Sequence, residues 1–326
     1  MASGIEVRRY SEEDHERWDR FVRGSNNGTI FHEQQFLDYH PKGRFDFHHL
    51  IFEKDSNIFA VLPGLVKDGI FRSPAGASFG GFVTNDISYD TAEEIVDRFL
   101  EHARNNGIKE VYLTPPLSVY FDIVTQNIEY ALLHRDFDYH VHLYSSVVDL
   151  RRTFDLEHYD KKARNAVRKA QKSGISVEIE NDFDIFYPIL LENKKKFNLA
   201  PTHALDELKR LDELLPGKLK LFLAKLDGKV IGGSLIFVCN ERTLIDFYIA
   251  QDYTYQELRT INLVLHEVIR WGHENGFDYF DIGVNQDTAS SNPMDLNQPL
   301  VAFKYRMGAR CVMRNTLHKI IEGVRR

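Results

Sequence analysis

One segment of the sequence concentrates positive charge on what its spacing predicts to be a helix. Residues 160–172 read DKKARNAVRKAQK, with six basic residues and no acid after the first aspartate. Arg164 and Arg168 are one helical turn apart, and Lys161 and Lys172 extend the same stripe. Guanidinium groups spaced in this way can hold a phosphate through paired hydrogen bonds. The alternative is a solvated basic face, and the acidity of the rest of the chain favours phosphate binding.

Two aspartates lie within apolar segments that have the alternation of strands. In residues 243–250 this alternation places Asp246 and Tyr248 on one face, and Asp281 lies within a second such segment, residues 277–284. A buried carboxylate without a partner is unfavourable, so each must be paired or hydrated. Two acids on neighbouring strands could orient an attacking amine or accept its proton. Hydrogen bonding to turn backbone or to an arginine is the equally weighted alternative.

A lysine near the end of the chain is a further candidate. The segment LVAFKYRMGA contains Phe303 and Lys304. The residue pattern alone predicts a surface lysine on an edge strand. If the side chain instead points into a cleft, with Phe303 beside it, its ammonium group could stabilise a carbonyl oxyanion or a phosphate.

The first half of the chain contains one glycine-rich loop, SPAGASFGGF, which begins at Ser73 and includes Gly80 and Gly81. Glycines allow backbone to approach a ligand closely, so the loop is a candidate substrate cleft. Its pattern is not GxGxxG, and no dinucleotide is implied.

Composition excludes several classes of protein. A formal net charge of -7 argues against DNA as a partner, because a nucleic-acid-binding domain is normally basic. Cys239 and Cys311 are the only cysteines and lie far apart, so no disulfide framework or thiolate metal site is indicated. The histidine pairs have no nearby cysteine or HExxH context, and we predict no metal and no required cofactor.

The N-terminal stretch MASGIEVRRYSEEDHERW soon becomes charged and lacks the apolar stretch of a signal peptide. No apolar run approaches the roughly 18 residues of a membrane-spanning helix. We therefore expect a cytoplasmic protein without a transmembrane segment.

Length and periodicity predict two domains. A chain of 326 residues is longer than one hydrophobic core usually stabilises. We therefore divide it into residues 1–150 and 151–326, with a last helix that could pack back on the first domain. Asp160 is predicted to cap a helix, and Asp227-Gly228 to form a tight hairpin. Residues 128–150 are predicted to be extended. The fold class is mixed α/β, with a mostly antiparallel sheet flanked by helices in each domain.

Four segments together resemble the Fem-type aminoacyltransferases, peptidoglycan bridge-forming enzymes built of two GNAT-like domains. They are KARNAVRKAQKSGISVEI, DGKVIGGSLIF, the segment from IDFYIAQ to WGHENG, and FDIG followed by FKYRMGA. In the first half, SPAGASFGGF is similar to that family's substrate-cleft loop.

The resemblance implies attack of an amine on an activated aminoacyl ester, with the acceptor carried on a nucleotide or lipid pyrophosphate. Arg164 and Arg168 match the family's arginine-bearing helix and would contact phosphate. Lys304 matches the lysine of its Phe-Lys motif and would stabilise charge at the reacting carbonyl. For Tyr248 and Asp281 the correspondence with the family's site residues rests only on their positions in strands.

The acyl donor stays open between aminoacyl-tRNA and acyl-coenzyme A. GNAT enzymes bind the coenzyme A pyrophosphate through Q/R-x-x-G-x-G/A, and here Arg259 and Ile261 fill both glycine positions. This counts against coenzyme A. Residues 190–216 are too short for the long helical arm of some Fem enzymes, which weakens the tRNA alternative.

Three hypotheses follow. The first is transfer of an aminoacyl or acyl group to an amine of an anionic, phosphate-linked cell-envelope precursor, of peptidoglycan or surface-sugar type. The second is a coenzyme A-dependent N-acyltransferase acting on an amino sugar or small amine. The third is a catalytically inactive binding module.

Overall fold

The computed structural model describes residues 4–152, 156–196 and 198–321, and the chain divides into two compact units. The first unit contains the chain up to Leu143 and again from Met313, and the second contains Tyr144–Val312. In the described ranges, no helix is both long enough and apolar enough to cross a membrane.

The first unit is a mixed α/β structure. One antiparallel sheet has the strand order β1-β2-β3-β6, and further strands are ordered β4-β5-β7-β14. Its elements are β1 (Glu6–Arg9), α1 (His15–Gly24), α2 (Gln34–Leu37), β2 (Leu50–Lys54), β3 (Asn57–Leu62), β4 (Leu65–Lys67), β5 (Ile70–Ser73), β6 (Val83–Thr84), α3 (Tyr89–Asn105), β7 (Glu110–Leu113) and α4 (Asn127–Leu133). Strands β8 (Asp138–Asp149) and β14 (Arg310–Ile320) each begin in one unit and end in the other.

The prediction of extended chain over residues 128–150 is wrong for its first part. Residues 127–133 form α4, and only the part from Asp138 onward is a strand. Ala131 and Leu132 are buried in the core that α3 also contributes to, so helical packing outweighs the local preference for extended chain.

The last described element is also not the helix that was expected to close the chain. It is strand β14, and Leu317 is fully buried opposite Leu113 of β7. Period-two alternation in RCVMRNTLHKI fits this strand.

The second unit is a six-stranded sheet with helices. Its strand order is β8-β13-β12-β11-β10-β9, antiparallel throughout except for the parallel pair β12 and β13. Its further elements are α5 (Lys161–Lys172), β9 (Ser176–Ile179), α6 (Phe183–Lys195), α7 (Leu205–Leu214), β10 (Leu219–Leu226), β11 (Lys229–Val238), β12 (Thr243–Gln251), α8 (Thr260–Glu274), β13 (Tyr279–Val284) and α9 (Gln298–Arg306). The predicted mixed, mostly antiparallel fold is confirmed.

Local sequence signals explain several of these elements. Asp160 caps α5, because its side chain accepts a hydrogen bond from the backbone N–H of Lys162. Asp227 and Gly228 both have positive φ, 50° and 78°, as a two-residue turn between β10 and β11 requires. Helix α8 provides the long crossover that a parallel pair such as β12 and β13 needs.

The two faces of the second sheet are covered by different helices. Buried residues of α5 and α8, among them Val167 and Val268, share one core cluster with Ile236 and Leu244 of the sheet. Helix α6 contacts β11 and β12 from the other face, where a β-carbon added at Gly233 would meet Phe186. Each strand residue can therefore be assigned to the α8 face or to the α6 face.

Strand β12 contains a bulge that changes this assignment midway. Leu235 pairs with Tyr248, but the next residue of β11, Ile236, pairs with Asp246, so Phe247 is an extra residue. A bulge of this kind shifts the phase of the alternation. Asp246 therefore lies on the α8 face with Ile236, while Tyr248 lies on the α6 face. The predicted common face for Asp246 and Tyr248 is wrong for this reason.

Strands β12 and β13 separate soon after they meet. Their parallel pairing covers only three residue pairs and ends where Ile245 lies beside Asp281. Gly283 then takes a φ of 79°, and the pairing of β13 with β8 is irregular between Asp281 and Val284. Backbone groups on this edge of β13 thus have no strand partner in β12.

The Asp160 cap leads to a stability prediction. Asp160→Ala should lower the free energy of unfolding by about 1 kcal/mol, because the N–H of Lys162 loses its acceptor. Chemical denaturation measures this change, and Glu241→Ala, which removes the same charge from an exposed turn, is the control. Equal stability of both variants and the parent would contradict a stabilising cap.

Candidate active site

Lys304 lies on a helix and is buried, so the prediction of a surface lysine on an edge strand is wrong. Helix α9 begins after Asn297, whose side chain accepts a hydrogen bond from the N–H of Leu300, and Pro299 lies in its first turn. Only 6% of Lys304 is exposed. The adjacent Phe303 is partly buried against the core cluster of the α8 face.

The ammonium group of Lys304 binds the backbone at the end of β13, beyond the residues that pair with β12. Its Nζ donates to the carbonyl oxygens of Gly283, at 2.9 Å, and of Val284, at 3.0 Å. An ammonium group has three N–H donors, so two are used by the end of β13 and one remains. Lys304 thus carries a fixed positive charge with one donor still available.

The charges of the two predicted aspartates, which lie on neighbouring strands, both act on this ammonium group. Asp281 accepts hydrogen bonds from Ser145 Oγ, at 2.6 Å, and from the Gly283 N–H, at 2.8 Å. Asp246 accepts one from Ser234 Oγ, at 2.8 Å. Asp281 is therefore held by hydroxyl and backbone donors, as the structural alternative proposed, while Asp246 has one oxygen bound and one with no such partner among the described residues.

Burial and mutual attraction set the charges of this group. Burial lowers the pKa of Lys304 to about 8, and the nearby carboxylates of Asp246 and Asp281 oppose this decrease. Burial raises the pKa of Asp246 to about 6, against the Ser234 hydrogen bond and the charge of Lys304. At neutral pH the site therefore contains a lysine that can donate and a carboxylate that can accept a proton.

Tyr248 lies away from these three side chains. Its hydroxyl bonds with Thr202 Oγ1 at 2.6 Å and with His203 Nδ1 at 2.9 Å, and it accepts from the His203 N–H at 3.1 Å. Burial raises its pKa. With its hydroxyl used in this way, Tyr248 is a rigid part of the α6 face, and its catalytic role stays a prediction.

The basic stripe lies on α5, which begins beside the helix of Lys304. The N–H of Asp160 donates to the carbonyl oxygen of Arg306 in α9. Arg164 forms an ion pair with Glu157, and Arg168 lies 3.9 Å from the same carboxylate. Lys161 and Lys172 are exposed. The shared contact with Glu157 confirms that the two arginines project together, and their contact with phosphate stays a prediction.

The glycine-rich loop belongs to the first unit and is held by hydrogen bonds within the loop and to its neighbours. Ser73 Oγ donates to the carbonyl oxygen of Pro63 and accepts from the Gly81 N–H. A β-carbon at Gly80 would lie 2.4 Å from Ser73 Oγ, and Gly81 has a φ of 79°. These glycines are thus required for the conformation of the loop. Their role in substrate binding stays a prediction.

Sequence reasoning missed the side chains that position the aspartates. Ser234 interrupts the apolar run of β11, and this was a signal that could have found it, whereas Ser145 lies beside Ser146 in a strand with several polar residues and gives no such signal. It also missed Lys194, in the run KKK at the end of α6, whose ammonium group lies 5.6 Å from the centre of the Tyr248 ring. Among the described residues, no cluster of His, Cys, Asp and Glu could hold a metal ion.

Comparison with known proteins agrees with this fold. Residues 158–289 match the family model described as an acetyltransferase (GNAT) domain. The second unit thus contains a GNAT domain, and the prediction of an acyltransferase is confirmed by this match. A comparison with curated protein sequences finds no match.

Solved structures extend the similarity to both units. The chain is similar to FemX, with a TM-score of 0.71, 14% identity and 97% of each chain covered. It is similar to the C-terminal domain of a putative lysylphosphatidylglycerol synthetase from Agrobacterium fabrum, with a TM-score of 0.61, 13% identity and 95% and 92% covered. A tandem GNAT protein from the clavulanic acid biosynthesis pathway gives a TM-score of 0.54, 10% identity and 98% and 99% covered. The Fem-type tandem GNAT fold is therefore confirmed.

The charge arrangement makes a measurable prediction. Lys304→Met should raise the pKa of Asp246 further above 6, because the cation that favours its ionised form is lost. Carbon-13 NMR of the aspartate carboxyl groups measures this shift. Lys195→Met, at an exposed position, is the control and should leave the titration unchanged. An unchanged titration in Lys304→Met would contradict the proximity of the two groups.

Proposed function

We propose that this protein transfers an aminoacyl or acyl group to an amine of a phosphate-linked cell-envelope precursor, of peptidoglycan or surface-sugar type. The observation that carries the proposal is the buried ammonium group of Lys304, held at the end of β13 with one free donor beside Asp246. The similarity to FemX and to a lysylphosphatidylglycerol synthetase domain supports transfer of an aminoacyl group to a phosphate-bearing acceptor.

The reaction is the attack of the amine nitrogen on the carbonyl carbon of the acyl donor. A carbon–nitrogen bond forms, and the carbonyl oxygen becomes an oxyanion that the third N–H of Lys304 stabilises. The free oxygen of Asp246 accepts the proton that the nitrogen loses. The intermediate collapses by breaking the bond to the donor's leaving group, which takes up a proton and departs. No metal or redox step is needed to balance this sequence.

The donor we favour is an aminoacyl ester carried on tRNA. Arg259 occupies a left-handed conformation, with φ of 65°, directly before α8, where the coenzyme A pattern has its first glycine. The turn is retained, but a side chain has been added to it, and Ile261 fills the second glycine position. These side chains hinder approach of a pyrophosphate to the start of α8.

A coenzyme A-dependent N-acyltransferase is the second candidate, because the matched family model is an acetyltransferase domain. The experiment incubates the protein with charged tRNA or acyl-coenzyme A and with amine-bearing precursors, and detects products by mass spectrometry. Transfer from charged tRNA supports the first candidate, and transfer from acyl-coenzyme A supports the second. No transfer in any combination, with ligand binding retained, supports an inactive binding module.

Removal of the ammonium group should abolish most of the activity. Lys304→Met should reduce kcat by about 10²- to 10³-fold, the usual effect of removing an oxyanion donor. Lys304→Arg keeps the charge but not the geometry, and it should therefore retain only part of the parent kcat. Steady-state kinetics with circular dichroism as a folding check measures both. Full activity in Lys304→Met would eliminate the oxyanion role.

The pH dependence should follow the two shifted groups. Below about pH 6 Asp246 is protonated and cannot accept a proton, and above about pH 8 Lys304 loses the proton it donates. The profile of kcat/KM should therefore be bell-shaped with limits near these values. In Asp246→Asn the acidic limb should disappear along with most of the rate. A flat profile from pH 5 to 9 would argue against both roles.

The basic stripe should contribute to binding of the phosphate-linked acceptor. Arg164→Ala combined with Arg168→Ala should weaken precursor binding about tenfold or more, because charge-assisted hydrogen bonds are lost. Glu157→Gln should strengthen binding, because it releases both arginines from a competing carboxylate. Calorimetry measures both effects, and Lys169→Gln on the same helix is the control. Unchanged affinity in the double variant would rule out the phosphate role.

A further inference from the structure

Lys194 in the last turn of α6 is a partly buried cation without an anionic partner. Its ammonium group lies 5.6 Å from the centre of the Tyr248 ring. In residues 156–196 and 198–321, no carboxylate lies within 4.0 Å of it, and none of the hydrogen bonds involves its Nζ. Burial lowers the pKa of Lys194, and the charge of Asp246 opposes this decrease. The side chain is partly buried and makes no ion pair or hydrogen bond in those ranges, so its ammonium group is available to an anionic ligand.

The position of this cation is fixed by its neighbours. The preceding residue, Asn193, donates from Nδ2 to the Gln251 carbonyl oxygen at 2.6 Å and accepts from the Gln251 N–H at 3.1 Å. This pair of bonds joins the end of α6 to the end of β12. The Tyr248 ring below Lys194 is in turn held through its hydroxyl by Thr202 and His203. The cation and the ring are therefore preorganised in the absence of a ligand.

The neighbouring lysines of the same run differ from Lys194 in exposure or in ion pairing. Lys195 is exposed and forms an ion pair with Glu192. Lys196 is exposed, and its ammonium group lies over the Tyr253 ring. Lys194 differs from both, because it is partly buried and forms no ion pair with the described residues.

We propose that Lys194 and the Tyr248 ring form a subsite for a phosphate group of one of the two substrates. A lysine acts as a point charge toward phosphate, and the Tyr248 ring attracts the ammonium group at 5.6 Å. This proposal rests on the proposed function, because it assigns a substrate contact near the same site. It is separate from the basic stripe, since Tyr248 belongs to the α6 face and α5 to the α8 face.

The subsite also gives Tyr248 a role that its hydrogen bonds leave open. The hydroxyl is occupied, so the ring contributes through its face. The phosphate could belong to the donor or to the acceptor, and both place the same oxyanion beside Lys194. Kinetics with each substrate varied in turn distinguishes these two sources.

The first test uses inorganic pyrophosphate as the probe and needs no turnover. Calorimetry should show binding to the parent protein that weakens with added salt, and a loss of about tenfold or more in affinity for Lys194→Gln. Lys194→Arg should retain most of the affinity, and Lys195→Gln should match the parent. Equal affinity of Lys194→Gln and the parent, or no binding to either, would overturn the subsite.

The second test uses the acyl transfer reaction. Lys194→Gln should raise the KM of the phosphate-bearing substrate about tenfold or more and change kcat by less than about threefold, since the group binds phosphate without entering the chemical step. The substrate whose KM rises identifies the source. A decrease in kcat alone would overturn the proposal. Failure of acyl transfer with intact pyrophosphate binding would instead count against the proposed function.

Discussion

The separation of strands β12 and β13 is the constraint on which the rest of the site depends. Parallel strands that stayed paired would satisfy the carbonyl oxygens of Gly283 and Val284 within the sheet. Because β12 leaves after Ile245, those carbonyls instead accept hydrogen bonds from a lysine. Burial of that ammonium group is tolerable only because two backbone dipoles and two carboxylates surround it. The separation of the two strands and the buried charge of Lys304 therefore depend on each other.

Local signals in the sequence predicted the elements that carry this feature, since capping and turn formation depend on neighbouring residues. Asp160 caps α5, and Asp227-Gly228 forms the hairpin turn, each through short-range backbone geometry. The fold class followed from the order of such elements. Helix α4 was missed because its existence depends on packing against α3, which is distant in sequence.

The site could be predicted only in part, because it too depends on contacts between residues that are distant in sequence. Lys304, Asp246 and Asp281 were identified, but their mutual geometry requires the separation of two strands, which no local pattern encodes. The bulge at Phe247 adds one residue without a distinctive sequence, so strict alternation grouped Asp246 with Tyr248. For Lys304 a signal was present, since Asn297 and Pro299 are typical of a helix start. Ser145, which donates to Asp281, becomes recognisable only once the strand partners are known.

The extra residue at position 247 has a consequence for how its neighbours in β12 pack. It directs two side chains only two positions apart, Asp246 and Tyr248, into environments separated by the thickness of a sheet. Side chains around Tyr248 therefore pack against α6, whereas the carboxylate of Asp246 lies in the environment that also contains Ser234. One added backbone residue thus gives two nearby side chains of a single strand different packing partners.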